Sequence, residues 1–217
     1  MAIETFEYCS LYYLNQWLTY DLGYCEALSS GTKEEKLSTL KSAGGFYSVA
    51  RNLPTKYDEK EGRYQPVLTI LDSVSKEEFP DNTESKEQFP QTVSKILEIE
   101  KKISEKYGKR IVLSLTTKFL WLKIKEPIII YDSQAANAVG SKNGVLTDYD
   151  VLADYYEKWT AGFEKHKKQI EKVCSQLPKL HLYAVGHKRG TIEEVSSKPW
   201  FQKRVYDVYL WGKGDNA

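Results

Sequence analysis

The stretch Leu115–Gly140 reads "LTTKFLWLKIKEPIIIYDSQAANAVG" and joins a strongly apolar run to a run of small residues. Apolar residues at helical spacing predict a buried helix over Leu113–Ile124, which Pro127 ends. The three isoleucines and the tyrosine that follow are expected to be extended. Asp132 or Ser133 then fits the N-cap of a short helix that the last glycine ends. The stretch therefore predicts two helices joined by an extended segment, with a carboxylate where the second helix begins.

The rest of the chain also carries mostly helical patterns. Apolar residues recur at helical spacing, and proline or glycine separates the periodic segments. The pair Gly44-Gly45 is expected to stop one short helix. Residues 180–195 are ambiguous and are interpreted as a short hairpin or a loop. The sequence therefore predicts an all-α fold.

Size and composition allow a substantial core. Apolar residues make up 41% of the 217 residues, which argues against disorder on the scale of a domain. We expect one compact unit, 1–217, built from two helical lobes with a cleft between them. The charged segment 75–90 is the predicted hinge, and residues 110–140 are the predicted core of a catalytic lobe.

The net charge of +1 hides an asymmetry between the two halves of the chain. Residues 1–107 hold 13 Lys and Arg against 18 Asp and Glu, whereas residues 108–217 hold 18 against 12. One interpretation is chance variation in surface charge. The other is a surface in the C-terminal half that faces a polyanion.

The three cysteines, Cys9, Cys25 and Cys174, have no CxxC spacing and no neighbouring histidines. This pattern argues against a disulfide framework and a zinc site, so no metal and no cofactor are expected. The N-terminal residues lack the basic region of a signal peptide, and no segment approaches the roughly 20 apolar residues of a membrane span. The sequence predicts a cytoplasmic protein with no membrane partner.

Lys118 and Asp132 allow two interpretations. In the structural one, Lys118 extends its charge out of a buried helix, and Asp132 caps the next helix at a gain of about 1 kcal/mol. In the functional one, the helix dipole keeps Asp132 ionised, and its charge stabilises an oxocarbenium-like transition state. Lys118 would then act as a nucleophile or an anion clamp.

The residues "TKFLWLKI" and "PIIIYDSQAANAVG" together resemble the core of the helix-hairpin-helix DNA glycosylases. The resemblance covers roughly residues 110–140 and implies an all-helical fold of two lobes. It implies that Asp132 is the catalytic carboxylate and that Lys118 matches the lysine of bifunctional members. The family's glycine hairpin before the lysine helix is absent, so the resemblance implies the aspartate more specifically than the lysine.

Further candidate residues follow from this resemblance and from residue chemistry. Tyr47 and Arg51 are spaced as neighbours on a helix face, and Asn52 follows; they are either a surface pair or part of a base-binding cleft. The residues expected to bind the substrate are Trp121, Tyr131, Gln134, Tyr47, Arg51 and Asn52. The residues expected to contact the DNA backbone are Lys125, Lys142, Lys188, Arg189, Lys203 and Arg204.

Two of these basic groups have a defined sequence context. In "GHKRG", Lys188 and Arg189 form either a solvated turn or a loop that contacts phosphate. In the last helix, Lys203 and Arg204 are expected outside the core, whereas the core-facing residues are Phe201, Val205, Val208 and Tyr209.

The sequence therefore predicts a DNA-glycosylase-like enzyme that acts on double-stranded DNA. It would flip a damaged or modified base into the cleft and cleave its N-glycosidic bond, in repair or in antiviral defence. A non-catalytic helical protein that binds nucleic acid or another protein is the alternative. An enzyme acting on a nucleotide or another small molecule is the third.

Overall fold

The computed structural model describes residues 5–54, 62–80, 89–142, 144–186 and 189–214. The helices of these residues are α1 (Phe6–Gln16), α2 (Leu22–Ser30), α3 (Lys33–Phe46), α4 (Gln65–Asp72), α5 (Phe89–Lys106), α6 (Leu113–Ile124), α7 (Ser133–Ala138), α8 (Tyr149–Cys174), α9 (Arg189–Ser196) and α10 (Pro199–Gly214). Short 3-10 turns and one π-helical turn complete the secondary structure, and the described residues contain no β-strand. The predicted all-α class is confirmed for this part of the chain.

The chain divides into two compact units. The central unit comprises Tyr24–Tyr131 and Asn143–Ala153, and the terminal unit comprises Met1–Gly23, Asp132–Lys142 and Asp154–Ala217. The central unit holds both helices next to the predicted hinge at 75–90, namely α4 and α5. Residues 81–88 of that segment lie outside the described residues, and the hinge stays a prediction.

The central unit packs its helices in sequence order: α3 contacts α4, α4 contacts α5, and α5 contacts α6. At the α5–α6 junction, Glu100 is buried in the apolar stripe of α5. Its Oε1 accepts a hydrogen bond of 2.9 Å from the backbone N–H of Val112, the N-cap residue of α6. Glu100 thus satisfies a backbone donor at a helix start that would otherwise be buried without a partner.

Helix α3 begins with a capping box. Thr32 Oγ1 accepts a hydrogen bond from the Glu35 N–H, and Glu35 Oε2 accepts one of 2.7 Å from the Thr32 N–H. The expectation that Gly44-Gly45 stops this helix is wrong, because α3 continues to Phe46. A Cβ on Gly44 would clash with the Tyr64 hydroxyl, so close packing and not helix termination requires this glycine.

The core of the terminal unit is aromatic. Helix α10 packs on α1 and α7, and the ring centroids of Tyr13 and Phe201 lie 5.1 Å apart. Trp159 of α8 stacks on Phe163 at 5.5 Å and meets Tyr206 edge-on at 5.2 Å. Contacts of this kind stabilise a core beyond the area they bury.

Most of the described residues in the ambiguous segment 180–195 are helical. Leu177–Tyr183 forms 3-10 turns, and α9 follows from Arg189 to Ser196. The hairpin interpretation is therefore wrong, and the loop interpretation holds only for the few described residues between these elements. No helix in the described part of the chain combines the length and apolar character that a membrane span requires.

Candidate functional site

The first half of the quoted stretch forms as the sequence predicts. Helix α6 has the predicted bounds, and Lys125 ends it with a positive φ of 65°. After a cis Glu126–Pro127 peptide bond, residues 128–131 are non-helical and buried. The Tyr131 N–H donates a 3.0 Å hydrogen bond to Thr117 Oγ1 of α6. The backbone is thus fixed at the residue directly before Asp132.

Asp132 is the N-cap residue of α7 and is partly exposed. Its Oδ1 accepts a 3.0 Å hydrogen bond from the Gln134 N–H. At the other end of α7, Gly140 has a φ of 66°, and the backbone N–H groups of Gly140 and Ser141 return to the carbonyls of Asn137 and Ala136. Both predicted caps of this short helix are confirmed, and the bond at the N-cap fixes the direction of the Asp132 carboxylate.

A second carboxyl group lies near Asp132 within the terminal unit. Asp207 of α10 accepts hydrogen bonds of 2.7 Å from Trp159 Nε1 and of 2.7 Å from the Arg204 guanidinium. Burial raises the pKa of Asp207, whereas Arg204 and Trp159 oppose that rise. The negative charge of Asp132 also raises the pKa of Asp207, so the two carboxyl groups interact electrostatically.

Lys118 belongs to the central unit, whereas Asp132 belongs to the terminal unit. The lysine is buried, and its Nζ lies 2.8 Å from Ser114 Oγ, one helical turn earlier on α6. The candidate pocket residues Trp121 and Tyr131 are also buried in the central unit. A direct pairing of Lys118 with Asp132 stays a prediction.

The candidate residues Tyr47, Arg51 and Asn52 do not share one helix face. Helix α3 ends at Phe46 with Tyr47 as its C-cap residue, and Arg51 and Asn52 lie in a separate 3-10 turn. The predicted helical spacing of Tyr47 and Arg51 is therefore wrong, because the helix ends between them. The Tyr47 ring packs edge-on against Phe46 at 5.0 Å.

Of the predicted DNA-backbone residues, one needs correction. Arg204 is buried, forms an ion pair of 2.7 Å with Asp207, and lies over the Tyr13 ring at 5.2 Å from its centroid. It is a core residue because α10 is buried on almost all sides. The core-facing residues of this helix are confirmed as Phe201, Val205, Val208 and Tyr209.

The other basic candidates differ in exposure. Lys142 and Arg189 are exposed, whereas Lys125 and Lys203 are partly buried. Lys188 lies outside the described residues. The candidate substrate residue Gln134 is partly buried on α7, two positions after Asp132.

Sequence reasoning missed Trp159 and Asp207, which form a buried polar network with Arg204. A signal was present: Arg204 and Asp207 stand three positions apart in the run "RVYDVYLW", whose other residues are all aromatic or aliphatic. Opposite charges at that spacing are neighbours on a helix surface. In so apolar a run, such a pair indicates that both charged side chains are buried.

Within the described residues, no group of three or more His, Cys, Asp or Glu side chains is arranged to hold a metal ion. The thiols of Cys9, Cys25 and Cys174 are buried. Burial raises the pKa of Cys9 to about 11 and that of Cys174 to about 12, so both stay protonated at neutral pH. No protein-family model, curated protein or solved structure matches the chain.

Proposed function

We propose that this protein is a DNA-glycosylase-like enzyme that removes a damaged or modified base from double-stranded DNA. The observation that carries the proposal is Asp132, a partly exposed carboxylate at the start of α7. The proposal includes the two-lobed helical architecture, the cleft and the base flipping that the resemblance of residues 110–140 implies.

Three features of Asp132 suit this role. The Gln134 N–H donates to Asp132 Oδ1 and so holds the carboxylate at the start of a helix, where the helix dipole attracts negative charge. The preceding residue, Tyr131, is held by Thr117, so the carboxylate has a defined direction. A carboxylate that is ionised, directed and partly exposed can act on a developing positive charge.

In the proposed reaction, the bond between C1′ of the deoxyribose and the base nitrogen breaks, and the base leaves with the bonding electron pair. Positive charge develops on C1′ and the ring oxygen, and the ionised Asp132 stabilises it. A water molecule then adds to C1′ and gives up a proton, while the released base nitrogen gains one. The products are a free base and an abasic site.

A DNA substrate is supported by the distribution of charge. The half of the chain that contains Asp132 carries the excess of Lys and Arg, and two predicted backbone contacts, Lys142 and Arg189, are exposed. Phosphate contacts by such residues supply most of the affinity for DNA and make it fall with salt.

The test is base release by Asp132→Asn on a panel of duplexes with modified bases. Asparagine caps helices as well as aspartate does, so the fold is preserved. Removing the charge should reduce abasic-site formation about a hundred-fold or more. Glu193→Gln, at an exposed position of α9, is the matched control and should release bases like the wild type. Equal rates for Asp132→Asn and the wild type would contradict the proposal.

A second function is favoured by the same hydrogen bond. The cap that Asp132 provides to Gln134 gives this carboxylate a structural role without any chemistry. A non-catalytic nucleic-acid-binding protein would bind the duplexes with steep salt dependence and release no base. That outcome would show that the protein binds DNA without acting as an enzyme.

A further inference from the structure

A short segment of the terminal unit exposes apolar side chains to an unusual degree. Leu182 is 84% exposed, Tyr183 71% and Val185 57%. These three residues are here called the apolar tip: Leu182 and Tyr183 end the 3-10 turns that begin at the buried Leu177, and Val185 follows two positions later. Large apolar side chains that remain this exposed in a cluster mark an interaction surface.

The backbone of the apolar tip is held in place by one side chain of α1. Asn15 Nδ2 donates a 3.2 Å hydrogen bond to the Tyr183 carbonyl, and Asn15 Oδ1 accepts one of 3.0 Å from the Val185 N–H. The same Nδ2 also donates to the Leu11 carbonyl within α1 at 3.0 Å, which fixes the amide itself. Asn15 therefore fixes the path of the tip while its apolar side chains stay in solvent.

The sequence around the apolar tip contains cations and no carboxylates. From Lys172 to Ile192 there is no Asp or Glu, and the described cations Lys172, Lys179 and Arg189 are all exposed. Exposed Lys and Arg side chains contact phosphate oxygens, which position a protein on a duplex. The charge of this part of the chain therefore suits a polyanion.

We propose that Leu182 and Tyr183 form a wedge that enters the base stack of double-stranded DNA. The wedge rests on the proposed action on DNA. Leu182 partially unstacks a base step, and the Tyr183 ring stacks on an exposed base face. Lys179 and Arg189 hold the adjacent phosphates. Asn15 is a positioning residue, since it contacts the tip backbone and not the DNA.

DNA explains the apolar tip better than a protein partner does. Stable protein interfaces use about 20 to 30 residues on each side, whereas the apolar tip has three residues in one short segment. A wedge between bases requires only one or two apolar side chains, and the charge it meets on either side is phosphate.

The experiment measures binding and base unstacking, without base release. All variants are made in the Asp132→Asn background, and the probe is a 30-base-pair duplex carrying 2-aminopurine, whose fluorescence rises when it is unstacked. Leu182→Ser and Tyr183→Ser should abolish most of that rise and weaken binding about five- to hundred-fold. The dependence of affinity on salt should be unchanged, because the cations remain.

Two further variants separate the wedge from a general surface effect. Asn15→Ala keeps every tip side chain, and it should reduce the fluorescence rise with an unchanged salt dependence. Val145→Ser, at a position 54% exposed in the central unit, is the matched control and should unstack the probe like the background protein. Melting temperatures show that each variant is folded.

The outcomes for the wedge and for the proposed enzyme are distinguishable. If the tip variants unstack and bind like the control, the wedge is wrong, even if the wild type releases bases. If the fluorescence rise depends on the tip but the wild type releases no base, the wedge proposal is supported and the enzyme proposal is wrong. Tip-dependent self-association without any effect on DNA assigns the tip to protein contact and overturns the wedge. An absence of DNA binding overturns both proposals.

Discussion

Asp207 of the terminal unit and Glu100 of the central unit are both buried carboxyl groups with different partners. Asp207 receives a hydrogen bond on each oxygen, from the Trp159 indole and the charged Arg204 guanidinium. Glu100 receives one hydrogen bond, from the Val112 backbone N–H. Burial raises the pKa of both groups.

The difference shows two ways of burying an acid. Asp207 is compensated by a charged partner, so removing that partner leaves an uncompensated buried group. Glu100 has a neutral partner. Burial raises its pKa, and only the hydrogen bond from Val112 opposes that rise. An amide of the same shape could replace Glu100, because it also accepts a bond from Val112.

The largest effect is expected for Arg204→Met. The substitution keeps an apolar stem of similar length but removes the charge that pairs with Asp207 at 2.7 Å. Breaking a buried pair in this way should lower the free energy of unfolding by about 3–5 kcal/mol. Urea denaturation followed by circular dichroism measures it.

The matched control is Lys203→Met, one position earlier on α10 and only partly buried. It should change the free energy of unfolding by less than about 0.5 kcal/mol. Similar losses for the two variants would show that the Arg204–Asp207 pair contributes nothing specific, and the contrast with Glu100 would disappear.

A smaller, pH-dependent effect is expected for Glu100→Gln. Because burial raises the pKa of Glu100 in the folded protein, the unfolded chain ionises first as pH rises. The wild type should therefore lose stability relative to the variant as pH rises above the ordinary glutamate pKa of about 4.3. Below that pH the difference between the two proteins should be constant.

Glu98→Gln is the control of opposite sign. Hydrogen bonds from Lys102 and Lys95 lower the pKa of Glu98, so its contribution to stability is present at neutral pH and is lost as pH falls. Urea denaturation across a pH series compares the two variants. If the difference between wild type and Glu100→Gln is flat with pH, Glu100 does not titrate as its burial requires.

The smallest effect is expected for Lys102→Ala. Lys102 pairs with Glu98 at 2.6 Å, but both side chains are about half exposed. Solvent-exposed pairs at this helical spacing contribute about 0.3–0.5 kcal/mol, and salt screens them. Denaturation at low and high salt should show a small loss that salt removes. A loss as large as that of Arg204→Met would mean that burial does not distinguish the two pairs.

The sequence predicts helix bounds and caps best where they depend on residues close together in the chain. The bounds of α6, the Asp132 cap and the glycine stop of α7 all follow from a continuous apolar run, a proline, a capping residue and a glycine. These signals act within a few residues of the chain, so they are readable without the fold.

The sequence predicts burial and packing poorly where they depend on contacts between residues far apart in the chain. The Tyr64 hydroxyl packs so closely on Gly44 of α3 that no side chain fits there. Arg204 is buried because it forms an ion pair with Asp207 and lies over the Tyr13 ring. The exposed tip at Leu182 likewise depends on Asn15, 168 positions before Tyr183. Such contacts leave no periodic pattern, so the candidate site was predicted only at its local elements.

The packing of α1 on α10 has a consequence for synthesis on the ribosome. Tyr13 meets Phe201 and Arg204, and Phe6 meets Tyr209 at 4.3 Å, so the first described helix packs closely on the last. At 5–20 residues per second, translating the intervening chain takes about 10 to 40 s. During that time the apolar face of α1 lacks its native cover, whereas α3 to α6 already have their neighbours. The nascent chain should therefore be open to chaperones through α1 until α10 emerges.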